Sequence, residues 1–155
     1  MKILMVCLGN ICRSPLAEGI LKKKVEENQL DWEVGSAGTG AWHVGELPDN
    51  RSIRTARQHG IDITDQRARQ FTAKDFKDYD LILAMDSTNY RNILQLDLAS
   101  EYKDKVKMIL NYLEPQKNES VPDPYWNDNG FEKVYQMLEA ACTALVEQES
   151  DTLSS

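Results

Sequence analysis

The chain has 155 residues, of which 41% are hydrophobic and 28% are charged, so we expect one globular domain spanning residues 1–155. No apolar run reaches the length of a membrane span or a signal peptide. Three cysteines without a disulfide-scaffold pattern favour a reducing compartment, and we expect a cytoplasmic monomer. The formal net charge of −7 argues against nucleic acid or an anionic membrane as a partner.

The amino-terminal region predicts a strand, a tight loop and a helix. Residues 1–6 form a short, apolar segment of β-prone residues, as in a buried strand. The apolar spacing after Pro15 predicts an amphipathic helix that ends near Asn28. Ser14 is a good N-cap candidate, and Pro15 suits the first helical position. The loop between strand and helix therefore adjoins a helix N-terminus, whose unpaired N–H groups attract anions.

Strands and helices alternate along the rest of the chain. Further strands are predicted at residues 32–36, 80–85 and 106–110. Helices are predicted at residues 52–60, after Asp86 with Ser87 or Thr88 as the N-cap, and from 131 to about 148. This alternation predicts an α/β fold, a central four-stranded parallel sheet with helices on both faces. In such sheets the loops after the strands, at Cys7, Ser36, Asp86 and Asp123, can converge on one edge.

The loop after the first strand has a cysteine at one end and an arginine at the other. It comprises Cys7, Leu8, Gly9, Asn10, Ile11, Cys12 and Arg13. Its backbone N–H groups can surround a tetrahedral oxyanion while the Arg13 guanidinium binds two of the oxygens. Gly9 permits a positive φ or a close approach, and Asn10 tolerates left-handed geometry. We therefore predict that this is a phosphate-binding loop, although it lacks the Gly-x-x-x-x-Gly-Lys pattern of a Walker loop.

A thiol at a helix N-terminus loses its proton readily, so we predict that Cys7 is a nucleophile facing a phosphate. A helix end supplies about 0.3–1 kcal/mol, so loop N–H groups, Arg13 and the Ser14 hydroxyl must help to stabilise the thiolate. Two interpretations of Cys12 stay open: inert packing, or capture of an oxidised Cys7 as a reversible disulfide. Cys142 lies on the apolar face of the last helix and is expected in the core.

Phosphoryl transfer to sulfur needs a proton for the leaving oxygen and then a base for the attacking water. Asp123, between two prolines in a polar loop, is the best candidate for both tasks. Tyr125 and Trp126 follow it and can form a wall that packs on an aromatic substrate. Trp42 lies in a glycine-rich loop and is predicted to belong to the pocket rim.

Charge is distributed unevenly along the chain. Residues 51–74 carry six basic and two acidic side chains, whereas residues 112–155 carry nine acidic and two basic ones. We interpret the basic segment as a solvated face, with the docking of acidic phosphopeptides as the alternative. His43 and His59 fit no zinc-ligand spacing and are expected at the surface, so no metal and no cofactor is expected.

Five motifs, in order over nearly the whole chain, resemble the low-molecular-weight protein tyrosine phosphatases. They are Cys7-Leu-Gly-Asn-Ile-Cys-Arg-Ser14, Ser36-Ala-Gly-Thr39, Ala68-Arg-Gln70, Ala84-Met-Asp86 and Asp123-Pro-Tyr125. The resemblance implies hydrolysis of phosphotyrosine in protein substrates through a phosphocysteine intermediate, without a metal.

The resemblance also implies a role for individual residues. Cys7 would be the nucleophile, Arg13 the phosphate clamp, and Asp123 the general acid and then the base. Residues implied to support the loop or the thiolate are Asn10, Ser14, Ser36 and Asp86. Residues implied to line the pocket are Trp42, Tyr125 and Trp126. The chain departs from the pattern at Gln66, where some relatives have histidine, and at Trp126, where tyrosine is common.

Two other functions compete with hydrolysis. A thioredoxin-coupled arsenate reductase has a similar loop but needs two further cysteines to relay a disulfide outward. Only Cys142 lies outside the loop, which disfavours reduction. An oxyanion-binding module without turnover would need neither Cys7 nor Asp123, so the presence of both argues against it.

Overall fold

The computed structural model describes residues 1–127 and 129–154, with side chains up to residue 150. Four parallel strands form one sheet in the order β2-β1-β3-β4: β1 Lys2–Cys7, β2 Glu33–Gly38, β3 Leu81–Ala84 and β4 Val106–Met108. The α-helices are α1 Arg13–Glu27, α2 Asn50–Gln58, α3 Asp75–Asp78, α4 Ser87–Leu96 and α5 Gly130–Ser154. Across the described residues, no helix is both long and apolar enough to cross a membrane.

Side chains of β1 alternate between two hydrophobic cores, one on each face of the sheet. Ile3 and Met5 pack into a core that is completed by residues of α1, α2 and α5. Leu4 and Val6 pack into a second core, with residues of α3 and α4. The alternation follows from the two-residue period of a strand. The predicted α/β fold, a parallel sheet covered on both faces, is confirmed.

The central position of β1 places its carboxyl end in the middle of one sheet edge. Cys7 pairs with Gly38 of β2, and Val6 pairs with Ala84 of β3. The segment after β4 returns to this edge, because the Val121 N–H donates to the Met85 carbonyl at 2.8 Å. The loops expected to converge therefore do so.

Two predicted helix starts are wrong. Helix α1 begins at Arg13, with Cys12 at the N-cap and no side-chain cap, so Ser14 lies inside the first turn. Its hydroxyl is engaged by neighbouring side chains of the loop instead. Helix α4 is capped by Asp86 and not by Ser87 or Thr88, since the Asp86 carboxylate accepts the Asn89 N–H at 2.7 Å.

Other boundaries shift by a few residues because tertiary contacts override local pattern. Strand β2 extends to Gly38, which pairs with β1 and bridges Gln70. Strand β4 ends at Met108 and continues as a 3-10 turn, and α2 begins at Asn50 behind an Asp49 cap. Helix α5 continues to Ser154, beyond the predicted end near residue 148.

Candidate active site

The loop of residues 7–13 is held from outside by its carbonyl groups. The Cys7 and Leu8 carbonyls accept from the N–H groups of Thr39 and Gly40, both at 2.9 Å. At the other end, the Ile11 carbonyl accepts the Asp49 N–H at 2.8 Å and the Cys12 carbonyl accepts the Ser52 hydroxyl at 3.2 Å: two bonds to the start of α2.

In a trans peptide the N–H of the next residue points opposite to the carbonyl, and the described chain holds no cis peptide bond. Four N–H groups of the loop therefore point away from these anchors and into the pocket, those of Leu8, Gly9, Cys12 and Arg13. Such converging N–H groups at a helix N-terminus form an anion-binding cradle.

Gly38 lies directly beneath the cradle. A Cβ atom added there would lie 2.7 Å from the Leu8 carbonyl oxygen and 3.1 Å from the Asn10 nitrogen, both backbone atoms. The loop can reach its position only because this residue has no side chain.

We expect Gly38→Ala to lower kcat/KM for p-nitrophenyl phosphate by about 100-fold, because a cradle displaced by about 1 Å loses that much in rate. Gly35→Ala is the matched control on the same strand. The one close contact of its Cβ would be with the Tyr79 Oη at 2.8 Å, the end of a side chain, and the Leu4 Cδ1 would lie at an ordinary 3.6 Å. Equal kinetics for the two variants would contradict the role of Gly38.

Asn10 is the central side chain of the loop. It is 2% exposed and adopts a left-handed φ of 57°, as its residue type predicted. Its Nδ2 donates to the Ser14 hydroxyl at 2.8 Å and to the Ser36 hydroxyl at 2.9 Å, while its Oδ1 accepts the Arg69 N–H at 3.0 Å. The amide therefore ties the loop to β2 and to the segment before α3.

These bonds also orient the Ser14 hydroxyl. Its oxygen already accepts from Asn10, and it lies 3.0 Å from the Cys7 Sγ. The hydroxyl hydrogen is thus available to the sulfur, and Ser14 can donate to it when Cys7 is a thiolate. A hydrogen bond donated to a charged sulfur is of the stronger, charge-assisted kind.

Glu18 and Lys22 extend the network, and sequence reasoning missed both. The Ser36 hydroxyl donates to the Glu18 Oε1 at 2.6 Å, and the Lys22 Nζ donates to the Oε2 at 2.5 Å. Glu18 is only 6% exposed. A carboxylate on the buried side of an amphipathic helix was the available signal, since buried charges are paired.

Arg13 is buried at 2% exposure and its guanidinium faces two carboxylates. Its Nη1 donates to the Asp86 Oδ2 at 2.7 Å and to the Val121 carbonyl at 2.9 Å. Burial on its own lowers the pKa of Arg13, but Cys7, Asp86 and Asp123 together raise it above its usual value. The guanidinium therefore stays charged and its direction is set by Asp86.

Asp123 lies across the pocket from the cradle. Its Oδ1 accepts the Tyr125 N–H at 3.0 Å and so caps a 3-10 turn, Pro124–Trp126. Its Oδ2 lies 3.9 Å from the Arg13 Nη2. The cap bond holds one carboxylate oxygen and leaves the other facing the guanidinium at the pocket.

A cavity of about 170 Å³ opens above the loop, with aromatic side chains at its rim. Its lining residues are Cys7, Leu8, Gly9, Ile11, Cys12, Arg13, Trp42, His43, Asp123, Tyr125 and Trp126. Trp42 and Trp126 are 72% and 85% exposed, as expected of a rim that only a ligand would cover. The structure brings the sequence-predicted site together, with Asn10, Ser14 and Ser36 in support behind the cavity wall.

His43, which we predicted at the surface, is partly exposed and also forms part of the cavity wall. A Cβ on Gly9 would lie 3.1 Å from its ring, and its Nδ1 lies 2.5 Å from the Glu46 Oε2. Its position beside Trp42 in the same loop was a usable signal. His59 is half-buried, stacked on Tyr135 at 3.8 Å.

Gln66 supports the first turn of α1. Its Nε2 donates to the Pro15 carbonyl at 3.1 Å, and it is 9% exposed. No group of three His, Cys, Asp or Glu side chains within the described ranges is arranged to hold a metal ion.

Cys12 and Cys142 are buried, as Cys7 is, but lie in different surroundings. Burial, followed by Asp49, raises the pKa of the Cys12 thiol well above its usual range. Burial raises the pKa of Cys142 to about 12. Cys12 packs with Ile11, Ala68 and Phe131, and Cys142 lies in the core as predicted.

We expect iodoacetate at neutral pH to alkylate Cys7 alone, because the cradle attracts its carboxylate and the other two thiols stay protonated. Peptide mapping by mass spectrometry would locate the label, and inorganic phosphate should protect against it. Labelling of Cys12 or Cys142 at a comparable rate would contradict this expectation.

A thiol inside a cradle of N–H groups, an arginine fork beside it and a carboxylate opposite define the class of cysteine-dependent phosphate-monoester hydrolases. The family model of the low molecular weight phosphotyrosine protein phosphatases matches residues 2–153. A Synechocystis protein assigned to the low-molecular-weight protein-tyrosine-phosphatases is 48% identical over 149 residues, 94% of each chain.

Solved structures of similar proteins agree with this assignment. A protein tyrosine phosphatase of Entamoeba histolytica is 35% identical, with a TM-score of 0.89 over 98% of each chain. An arginine phosphatase of Drosophila is also 35% identical, with a TM-score of 0.89 over 96% of this chain and 98% of the other. The chain belongs to the low-molecular-weight phosphotyrosine protein phosphatase family and is a hydrolase of that class.

Proposed function

We propose that the chain removes phosphate from phosphotyrosine in protein substrates, with Cys7 as the nucleophile, Arg13 as the phosphate clamp and Asp123 as the general acid and base. The observation that carries this assignment is the cavity in which the Cys7 thiol, the Arg13 guanidinium and the Asp123 carboxyl face one another.

In the first step the Cys7 thiolate attacks phosphorus and a sulfur–phosphorus bond forms. The bond from phosphorus to the phenolic oxygen breaks, and that oxygen takes the proton of the Asp123 carboxyl. The inward N–H groups and Arg13 bind the phosphoryl oxygens, on which charge is spread in the transition state. Ser14 stabilises the thiolate before attack and again when it leaves.

In the second step water attacks the phosphorus of the phosphocysteine. The Asp123 carboxylate takes a proton from this water, the sulfur–phosphorus bond breaks, and phosphate and the Cys7 thiolate are released. Asp123 thus ends the cycle protonated, as it began. Asn10 and Ser36 hold the cradle in one geometry through both steps.

The pocket walls favour an aromatic ring as the leaving group. Leu8 and Ile11 supply apolar surface, and Trp42, Tyr125 and Trp126 form the rim. Aromatic pairs of this kind add to the binding of a phenyl ring. The ring of Tyr125 contacts Trp126 edge-on, with centroids 4.8 Å apart.

A substrate panel tests the proposal, with phosphotyrosine, phosphoserine and phosphoarginine peptides of one sequence. We expect kcat/KM to be highest for phosphotyrosine. Phosphoarginine is the informative comparator, because its guanidino group would need a carboxylate partner in the pocket. Asp123 is the only carboxylate among the described residues that line the cavity. A preference for phosphoarginine would overturn the assignment.

Arsenate reduction coupled to thioredoxin should be absent. The relay would require an accessible thiol outside the loop, and Cys142 is fully buried. We further propose that the chain works as a monomer in the reducing cytoplasm, where its three free cysteines stay reduced.

A further inference from the structure

Helix α2 carries an exposed basic face close to the site. Arg51, Arg54 and Arg57 recur at three-residue spacing, so they lie along one side of the helix. Asp49, which caps this helix, donates its N–H to the Ile11 carbonyl of the phosphate-binding loop at 2.8 Å. A positive surface therefore begins next to the cradle in a chain whose net charge is −7.

A groove of about 480 Å³, distinct from the catalytic cavity, follows this face. Arg51, Arg54 and Thr55 line one side, and Phe131 and Glu132 line the other. The Arg51 Cζ lies 5.5 Å from the ring centroid of Tyr125, which is a wall of the catalytic cavity. The groove therefore begins where that wall ends.

The Arg51 guanidinium is hydrogen-bonded and packed within the protein. Its Nε and Nη2 each donate to the Asp49 carboxylate at 3.0 Å, and its Cζ lies 4.7 Å from the Phe131 ring centroid. Burial would raise the pKa of Asp49, but these bonds lower it below its usual value, so the pair stays charged. Arg51 thus shapes the groove and supports Tyr125.

With Arg51 paired to Asp49, Arg54 is the arginine of the groove that is available to a ligand. It is exposed, and within the described part of the chain its guanidinium makes no hydrogen bond or ion pair. Glu132 also lines the groove, but its carboxylate is occupied by the His59 Nε2 at 2.8 Å and the Gln136 Nε2 at 2.6 Å. Arg54 is therefore the positive charge in this groove with which a negative group of a ligand can pair.

We infer that this groove is a carboxylate subsite, in which Arg54 binds an acidic side chain that flanks the phosphotyrosine of the substrate. The inference rests on the proposed function, since only a peptide anchored in the catalytic cavity presents its flanking residues here. An extended peptide advances about 3.3–3.6 Å per residue, so the three positions on either side of the phosphotyrosine extend about 10 Å from it along the surface and are the ones to test.

A glutamate scan of phosphotyrosine peptides tests the subsite. Each peptide carries one glutamate, or glutamine in its place, at one position within about three residues of the phosphotyrosine. At one such position the wild type should prefer glutamate about two- to fivefold in kcat/KM at low salt, as expected of one exposed ion pair. Arg54→Ala should abolish this preference, and Arg54→Glu should reverse it. Salt near 1 M, where the Debye length is about 3 Å, should also remove it.

Arg91→Ala is the matched control, since Arg91 is an exposed arginine on α4 outside the groove, and it should keep the preference. All variants should turn over p-nitrophenyl phosphate as the wild type does. A preference that survives in Arg54→Ala overturns the subsite while leaving the proposed function intact. Failure of every phosphotyrosine peptide would instead reject the proposed function.

Discussion

Cys7→Ser should lose essentially all turnover, with kcat reduced by about 10⁴-fold or more. A hydroxyl is a far weaker acid than a thiol, so the anion that attacks phosphorus hardly forms. The substitution is close to isosteric at a residue only 2% exposed, and the Ser14 contact can persist, so the cradle should stay intact. Initial rates with p-nitrophenyl phosphate measure the loss.

Two measurements separate lost chemistry from lost structure. The Cys7→Ser protein should still bind inorganic phosphate, detectable by calorimetry, because the loop N–H groups and Arg13 remain. Cys142→Ser is the matched control: it should keep kcat while lowering the melting temperature, since it places a hydroxyl in the core. Activity of Cys7→Ser within tenfold of wild type would rule out the covalent mechanism.

Asp123→Asn should lower kcat by about 10²–10⁴-fold on phenyl phosphate, the range for a lost general acid and base. Asparagine keeps an oxygen that can accept the Tyr125 N–H, so the turn Pro124–Trp126 should persist. The loss should be smaller on p-nitrophenyl phosphate, because its more acidic phenol leaves with less need for a proton. Parallel kinetics on the two substrates measure this difference.

Asp78→Asn is the control for a lost carboxylate, since Asp78 is a partly exposed residue of α3 whose ion pair with Lys74 is 3.9 Å long. It should leave both substrates unaffected. An Asp123→Asn protein with equal losses on both substrates would indicate a structural role for Asp123 and not proton transfer. An unchanged kcat in Asp123→Asn would show that Asp123 takes no part in the mechanism.

Much of the site was predictable because its centre is contiguous in sequence. Strand, glycine-containing loop and helix follow one another within residues 2–27, so the periodicity of apolar residues places Cys7 and Arg13 at the two ends of one cradle. Asn10 was predicted to adopt left-handed geometry from its residue type alone, and it does so. The parallel sheet followed from the alternation of strand and helix patterns.

Less could be predicted where distant segments meet. The Ser14 hydroxyl was expected to cap α1, but Asn10 and Cys7 engage it. Asp86, and not Ser87 or Thr88, caps α4. Its Oδ1 accepts the Asn89 N–H while its Oδ2 is held by Arg13. Neither choice is visible in a local pattern, since each depends on a partner elsewhere in the fold.

The sequence by itself determined the α/β architecture and predicted Cys7, Arg13 and Asp123 as the candidate nucleophile, phosphate clamp and acid, because local chemistry and periodicity carry that information. Only the tertiary structure decided how the cradle is held: Gly38 beneath it, the Asn10 hub, and the pair of Glu18 and Lys22 behind Ser36. It also brought Asp123 to within 3.9 Å of Arg13 across more than one hundred residues. That approach depends on sheet order and on the Val121–Met85 bond, which follow from packing of the whole chain.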